Sequence, residues 1–167
     1  MKLNLRRLKR HPRESEEFLI SSPGNVQFLD QLGGDFAAPI EGGVSVENTG
    51  SMFIGQGRLK TKVQIPCSRC LQEFIYPVET ELAIVLVEGE KSSLVNPNED
   101  FVSFDGDEAD IDFELQQAIF MALPIRPVCN DDCQGLCPIC GQNKNAQPCS
   151  CQEDKTDPRW AKLRDLR

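Results

Sequence analysis

Eight cysteines in closely spaced pairs constrain this 167-residue chain more than any other feature. Cys67-Ser-Arg-Cys70 stands near the middle, and Cys129-Asn-Asp-Asp-Cys133 comes later. The stretch GLCPICGQNKNAQPCSC, Gly135 to Cys151, then adds Cys137, Cys140, Cys149 and Cys151. Beyond Val128 the chain is rich in Cys, Asn, Gln and Gly and poor in large apolar residues. Such a segment cannot build its own hydrophobic core, so something else must hold it.

The spacings point to metal. Cys137 and Cys140 have the two-residue gap that lets both thiolates of a tight turn reach one ion, and Pro138 narrows the turn's freedom. Gly141 follows where a knuckle needs a residue that tolerates positive φ. Cys149 and Cys151 can supply the other two corners of a tetrahedral four-cysteine site. Cys67 and Cys70 sit at a turn between the two longest expected strands, and Cys129 and Cys133 remain as their partners. Two four-cysteine sites use all eight sulfurs and predict one or two structural Zn2+ ions. Zinc also explains the coreless tail, since a structural ion contributes on the order of 10 kcal/mol to folding in zinc-finger peptides.

Other chemistries stay open at this point. Disulfides fit an even cysteine count but not a reducing cytosol. Thiol-redox catalysis at Cys67 and Cys70 lacks the βαβ setting of a thioredoxin-like motif. Iron–sulfur ligation is chemically possible, although the CPxCG turn is closer to a zinc ribbon than to ferredoxin spacing. Unliganded, partly buried thiols are the plain alternative for the split site. Other catalysis finds little to work with. The single histidine, His11, lies in a basic N-terminal stretch, and no phosphate loop, zincin motif or Gly-x-Ser-x-Gly occurs. A zinc site made of four cysteines is normally closed, whereas a catalytic one keeps an open position.

Charge is divided along the chain. The net charge is −8, from 18 basic and 26 acidic residues. Residues 1–13 hold six cations (Lys2, Arg6, Arg7, Lys9, Arg10, Arg13) and no acid, and residues 155–167 hold five cations and two acids. The body between them has 7 basic and 24 acidic residues. An acidic body disfavours non-specific nucleic-acid binding, while two basic ends can grip RNA or an acidic surface. The plain alternative is two solvated tails. No signal-peptide h-region and no membrane-length apolar run is visible, so a soluble cytoplasmic protein is expected.

The elements read as α+β: an antiparallel β-sheet meander, one main helix and a zinc-clipped C-terminal tail. Residues 3–8 suit a short strand or helical turn, and ESEEFLISSPGN reads as an edge element ending in a turn at Pro23-Gly24-Asn25. GGVSVENTGSMFIGQG alternates around a turn at Asn48-Thr49-Gly50. Leu59, Thr61, Val63 and Ile65 face one way in RLKTKVQI. Phe74, Tyr76, Val78, Leu82, Ile84 and Leu86 share a face in the next strand, where Pro77 marks an irregularity or an edge. Residues 96–114, with eight acids, read as a solvated loop without an EF-hand pattern. DFELQQAIFMALP predicts a helix with Asp112 as N-cap and a stripe of Leu115, Ala118, Ile119 and Ala122. Phe120 and Met121-Ala-Leu read as core, and Pro124 and Pro127 end the helix. Two parts are expected, residues 1–134 (sheet, helix and CxxC hairpin) and residues 135–167 (a knuckle-like segment).

VQIPCSRCLQEF, ALPIRPVCNDDCQGLCPICGQNKN, the CSC and DPRWAKLRDL together resemble the YceD/YlbN family of large ribosomal RNA subunit accumulation proteins. The likeness runs from about residue 42 to the end. The family's Cys-x-Arg-Cys falls on Cys67, Arg69 and Cys70. Its Leu-Pro and later cysteine pattern falls on Leu123, Pro124, Cys129, Cys133, Gly135, Leu136, Cys137, Pro138, Cys140 and Gly141. Trp160 stands where a Leu is more usual. Some relatives keep the CxRC hairpin without GLCPxCG, which makes the two sites separable. The resemblance implies a non-enzymatic factor for 23S rRNA accumulation or processing and large-subunit assembly. Its partner would be the precursor large ribosomal subunit, as rRNA or ribosomal protein, with no membrane and no small-molecule substrate. A zinc-dependent protein-interaction adaptor is the first alternative, and a CxxC thiol-redox enzyme the second.

Overall fold

Strict alternation builds the main sheet. From Leu59 to Ile65 every second residue is buried, while Lys60, Lys62 and Gln64 are exposed, the period of a strand with one wet face. The computed structural model, which describes residues 1–89 and 100–151, places this segment in β5 (Phe53–Pro66). β5 pairs antiparallel with β4 (Ile40–Asn48) and β6 (Glu73–Glu88). The β5–β6 hairpin keeps one register from Phe53↔Leu86 to Pro66↔Glu73. β2 (Ser15–Ser22) flanks β4 as an edge, β3 (Asp35–Phe36) pairs with the end of β5, and β7 (Val102–Phe104) joins β6. The sheet order is β2-β4-β5-β6-β7. Both expected turns form, with Gly24 at φ +74° and Gly50 at φ +98°.

β7 runs parallel to β6, so the sheet is mixed rather than wholly antiparallel. The acid-rich segment also departs from the loop expected of it. It supplies β7 and β8 (Glu108–Asp110), while residues 96–99 lie outside the described part. The reason is that its acids are interleaved with apolar residues. Phe104, Ala109 and Ile111 are buried as Asp105, Asp107, Glu108 and Asp110 stay exposed. Pro77 takes an edge position. Opposite its Lys62 partner on β5, β6 has no second neighbour there among the described residues, because β7 reaches only Leu86 to Glu88. The missing N–H of proline is tolerated on such an edge.

Residues 1–13 are not a solvated tail. β1 (Lys2–Asn4) pairs antiparallel with β8, and α1 (Arg6–Arg10) follows. Leu3, Leu5 and Leu8 are at most 1% exposed and belong to the main core. The basic residues between them face outward, and their charge masks the leucines in the sequence pattern.

α2 (Asp112–Ala122) covers the inner face of the sheet with Leu115 and Ile119, giving a two-layer arrangement. Its N-cap is Ile111, one residue before the one expected, and no side chain caps it. Asp112 instead accepts from Ser22 Oγ at 2.9 Å and from Gln116 Nε2 at 2.8 Å. The buried Gln116 also uses its Oε1, which accepts the Asn25 N–H at 3.2 Å. Asp112 thus fastens the helix start to the end of β2. Leu123 turns extended before Pro124, as a residue preceding proline prefers. Phe120, Ala122 and Leu123 pack on the core, but Met121 is 75% exposed rather than core.

The β4–β5 crossing depends on glycine. A Cβ on Gly57 would fall on the carbonyl oxygen of Gly43, whereas a Cβ on Gly43 would meet only ordinary contact, 3.8 Å from Phe18 O. Gly57→Ala is expected to lower unfolding stability by about 1–3 kcal/mol, the usual cost of overpacking against an unyielding neighbour, while Gly43→Ala stays near the parent. Urea unfolding followed by circular dichroism checks this, and equal stability of the two variants would mean that the strands can separate there.

Candidate metal centres

The tip of the β5–β6 hairpin is a knuckle. Cys67 N–H donates to Gln72 O at 3.0 Å, and Leu71 N–H donates to Cys67 O at 2.9 Å. The second knuckle repeats both bonds: Cys137 N–H to Gln142 O at 2.8 Å and Gly141 N–H to Cys137 O at 2.8 Å. In each, the residue after the second cysteine has positive φ, +60° for Leu71 and +73° for Gly141. Gly141 meets the need noted in the sequence. Leu71 meets it at a steric cost and is 66% exposed.

The chain after α2 returns to this tip. Ser68 N–H donates to Pro127 O at 2.8 Å. The Arg69 guanidinium donates through Nη1 to the carbonyls of Asp131 and Cys133, each at 3.0 Å. These bonds bring Cys129 and Cys133 over Cys67 and Cys70. Phe74, Val128 and Leu136 pack around the buried Cys67, Cys70 and Cys133, while Cys129 is exposed.

Two groups of four thiols result, Cys67, Cys70, Cys129 and Cys133 in one, Cys137, Cys140, Cys149 and Cys151 in the other. Within each group the sulfurs all lie within 4.8 Å of one another. Cys67 Sγ is 3.8 Å from Cys133 Sγ, and Cys70 Sγ is 3.8 Å from Cys129 Sγ. A tetrahedron with metal–sulfur bonds of about 2.3 Å has edges of about 3.8 Å, so the thiols fit an ion of that kind. Soft sulfur in this geometry suits zinc or iron. Neither group contains His, Asp or Glu.

The electrostatics of the thiols agree with this. Burial pushes Cys67 up, but the backbone N–H groups of Cys129, Cys70 and Arg69 outweigh it and bring the thiol to about 6. In the second group the N–H groups of Cys140 and Ile139 hold Cys137 at about 6, against burial. The opposite extreme in the first group is Cys129, exposed as a residue but pushed to about 12 by desolvation of its sulfur and by Cys133, Cys67 and Cys70. In the second it is Cys151, pushed to about 12 by Cys140, burial and Cys137. Each group thus holds one sulfur readily as thiolate and keeps another protonated. A dication among them removes that opposition.

The N-terminal cations are largely occupied within the chain. Lys2 pairs with Glu108 at 3.6 Å, Arg6 with Asp107 at 3.7 Å, and Arg7 with Glu14 and Glu16 at 3.6 and 3.8 Å. Lys9 pairs with Glu88 at 2.6 Å, which raises its pKa, and donates to Gly106 O at 2.6 Å. Arg10 and Arg13 make no ion pair among the described residues. His11 sits beside Glu14 at 3.8 Å and joins no thiol group. The C-terminal cations, with Trp160, Leu163 and Leu166, fall outside the described residues. No described helix is long and apolar enough to cross a membrane.

The family described as "Large ribosomal RNA subunit accumulation protein YceD" matches residues 55–167. Uncharacterized proteins of Mycobacterium bovis and Mycobacterium tuberculosis are each 28% identical over 169 aligned residues, 99% of this chain and 81% of theirs. A protein of Arabidopsis thaliana named "Large ribosomal RNA subunit accumulation protein YCED homolog 1, chloroplastic" is 30% identical over 60 residues, 36% of this chain and 19% of its own. No solved structure matches.

Leu71 offers a test of the knuckle geometry. A non-glycine residue in the left-handed region costs about 1–2 kcal/mol, and this side chain is mostly exposed. Leu71→Gly is therefore expected to raise unfolding stability by about 1 kcal/mol after glycine's greater unfolded-state freedom is subtracted. Denaturant unfolding measures it, and a loss of stability would show that the leucine is held by contacts worth more than its backbone strain.

Proposed function

Because this chain belongs to the YceD family, we propose that it is a non-enzymatic zinc-binding factor in large ribosomal subunit rRNA accumulation. The observation that carries the metal part is the convergence of eight cysteines into two groups of tetrahedral size, the first of them drawn from segments far apart in sequence. The family description carries the ribosomal part. Cys67, Cys70, Cys129 and Cys133 hold one Zn2+, and Cys137, Cys140, Cys149 and Cys151 hold a second. The first ion fastens the segment after α2 to the hairpin tip, and the second closes the coreless tail on itself. Residues 1–134 are the body in this reading, and residues 135–167 the appended segment. The protein acts in the cytoplasm, on 23S rRNA within the precursor large subunit.

A thiol-redox role is the weaker reading. Cys67 has the lowered pKa such a nucleophile needs, but it is 0% exposed. A reactive thiolate must also be reached.

The internal ion pairs of Lys2, Arg6, Arg7 and Lys9 bear on the contact with the particle. Cations already neutralised by the chain's own acids release few counterions on meeting phosphate. Direct RNA contact therefore falls on Arg159, Lys162, Arg164 and Arg167, with Arg10 and Arg13 as the N-terminal contributors. An adaptor that meets a ribosomal protein through its acidic body is the second reading, favoured by the same internal pairing.

Two measurements test this. Metal analysis of protein purified without added metal is expected to find about two zinc ions per chain, one per tetrahedral site. One ion would remove one of the centres, and iron would replace zinc. On sucrose gradients the tagged protein is expected to sediment with precursor large-subunit particles. Changing Arg159, Lys162, Arg164 and Arg167 together to Gln should weaken that association and flatten its salt dependence by about 0.9 in log–log slope per lost phosphate contact. Binding equal to the parent at every salt concentration would assign the contact to protein rather than RNA.

A further inference from the structure

The two thiol groups are joined by a hydrogen-bonded bridge that ligation alone does not require. The loop between Cys140 and Cys149 belongs to the second group, yet its Asn145 reaches the first. Asn145 Nδ2 donates to Cys133 Sγ at 3.4 Å. Asn145 Oδ1 accepts the backbone N–H of Gln134 at 2.7 Å. A backbone N–H can only donate, so the amide oxygen is committed to that side and the NH2 is turned to the sulfur. Asn143 Oδ1 fixes the residue from below, accepting from Asn145 N at 2.9 Å and from Nδ2 at 2.8 Å.

The foot of the loop is fastened to the first knuckle. Lys144 N–H donates to Gly135 O at 2.9 Å, and Leu136 N–H donates to Arg69 O at 3.0 Å. Leu136 also forms an isolated antiparallel bridge with Asn143. Gly135 has φ +70°, and a Cβ there would stand 3.0 Å from Arg69 O. The two segments close on each other only because this position is glycine.

We propose that the two centres form one coupled metal-binding unit, in which filling the second centre presents Asn145 to Cys133 and so tightens the first. The inference rests on the metal reading above. Four thiolates around a dication leave a net negative charge, and an N–H donor to one sulfur disperses part of it. The donor helps only while it is held in place. Asn145 lies on an exposed loop, Gly141 to Pro148, whose ordering is unfavourable by itself. One ion bound by Cys137 and Cys140 before the loop and by Cys149 and Cys151 after it closes that loop and removes its freedom. Linkage makes the effect reciprocal, so the first ion tightens the second by the same factor. Asn145 is a positioning residue here and not a ligand.

Anaerobic Co2+ titration in competition with a chelator reads each centre through its thiolate-to-metal absorption. Cys140→Ser disables the second centre and Cys129→Ser the first. Asn145→Asp keeps an oxygen for the Gln134 N–H but removes both Nδ2 bonds, to Cys133 Sγ and to Asn143 Oδ1. Asn143→Ala, which removes only the bonds within the loop, is its control: a purely structural role in the loop would weaken both variants alike. First-centre affinity is expected to fall about 10- to 100-fold in Asn145→Asp, the range seen when a partner of a metal ligand is lost. It should fall comparably in Cys140→Ser, with little further loss when the two are combined. Cys129→Ser should weaken the second centre by the same factor. If Cys140→Ser does not fold, the reciprocal loss at the second centre in Cys129→Ser tests the coupling in its place. First-centre affinity within about twofold of the parent in Asn145→Asp, roughly the scatter of non-interacting sites, overturns the coupling and leaves the metal assignment standing. A parent chain that takes up no cobalt overturns the metal assignment itself, and the coupling with it.

Discussion

Four sulfurs within 4.8 Å of one another cannot all carry charge unless a cation stands among them. That constraint decides how the C-terminal part of the described chain is held. Between Val128 and Cys151 the buried side chains include Cys133 and Cys137, and no large aliphatic residue is among the fully covered ones. The segment borrows its position from elsewhere: from Arg69, which holds two of its carbonyls, from Ser68, which ties to Pro127, and from the thiols themselves. The main core, by contrast, is filled by inward residues of β4, β5 and β6 and by Leu115 and Ile119 of α2. Two forms of cohesion therefore divide the molecule. Apolar burial holds the body, while hydrogen bonds to Ser68 and Arg69, and in the proposed reading the two metal centres, hold the cysteine-rich segment after it.

The long hairpin is what lets the two meet. β5 and β6 stay in one register from Phe53↔Leu86 to Pro66↔Glu73. Their far end carries the first knuckle to where the chain leaving α2 can reach it. Phe74 and Ile65 lie just inside the tip, and Phe74 packs against both the main core and the cysteine cluster. A shift of register by one residue would turn the inward face of one of the two strands outward, and it would also displace Cys67 and Cys70 from Cys129 and Cys133. The alternation of Leu59, Thr61, Val63 and Ile65 thus sets the geometry of the first thiol group as well as the core.

Much of this was legible. Period-2 alternation located β4, β5 and β6, and the cysteine spacings sorted the sulfurs into the two groups that come together. The features that the pattern hid have physical causes. The cations of residues 1–13 outnumber the leucines and give that stretch the look of a tail, yet Leu3, Leu5 and Leu8 are core. The acids of residues 105–110 concealed strand β8 in the same way. Asp112 has the chemistry of an N-cap but sits one position too late, and its carboxylate is drawn to Ser22 by a contact remote in sequence. Asn145 could not be found from spacing, because a donor to sulfur needs no motif. Its only signal was an asparagine-rich loop between two cysteine pairs.

The pairing of β1 with β8 joins Lys2 to Asp110. A chain made from N- to C-terminus produces the first of these strands long before the second. At about 5–20 residues per second, roughly 5–20 seconds pass between them. For that interval Leu3 has no strand to lie against, and the six cations of residues 1–13 are without Asp107 and Glu108. The β1 stretch is therefore among the later parts to settle. While it waits, it is a basic, leucine-bearing stretch without its partner strand, open to whatever chaperone or surface it meets.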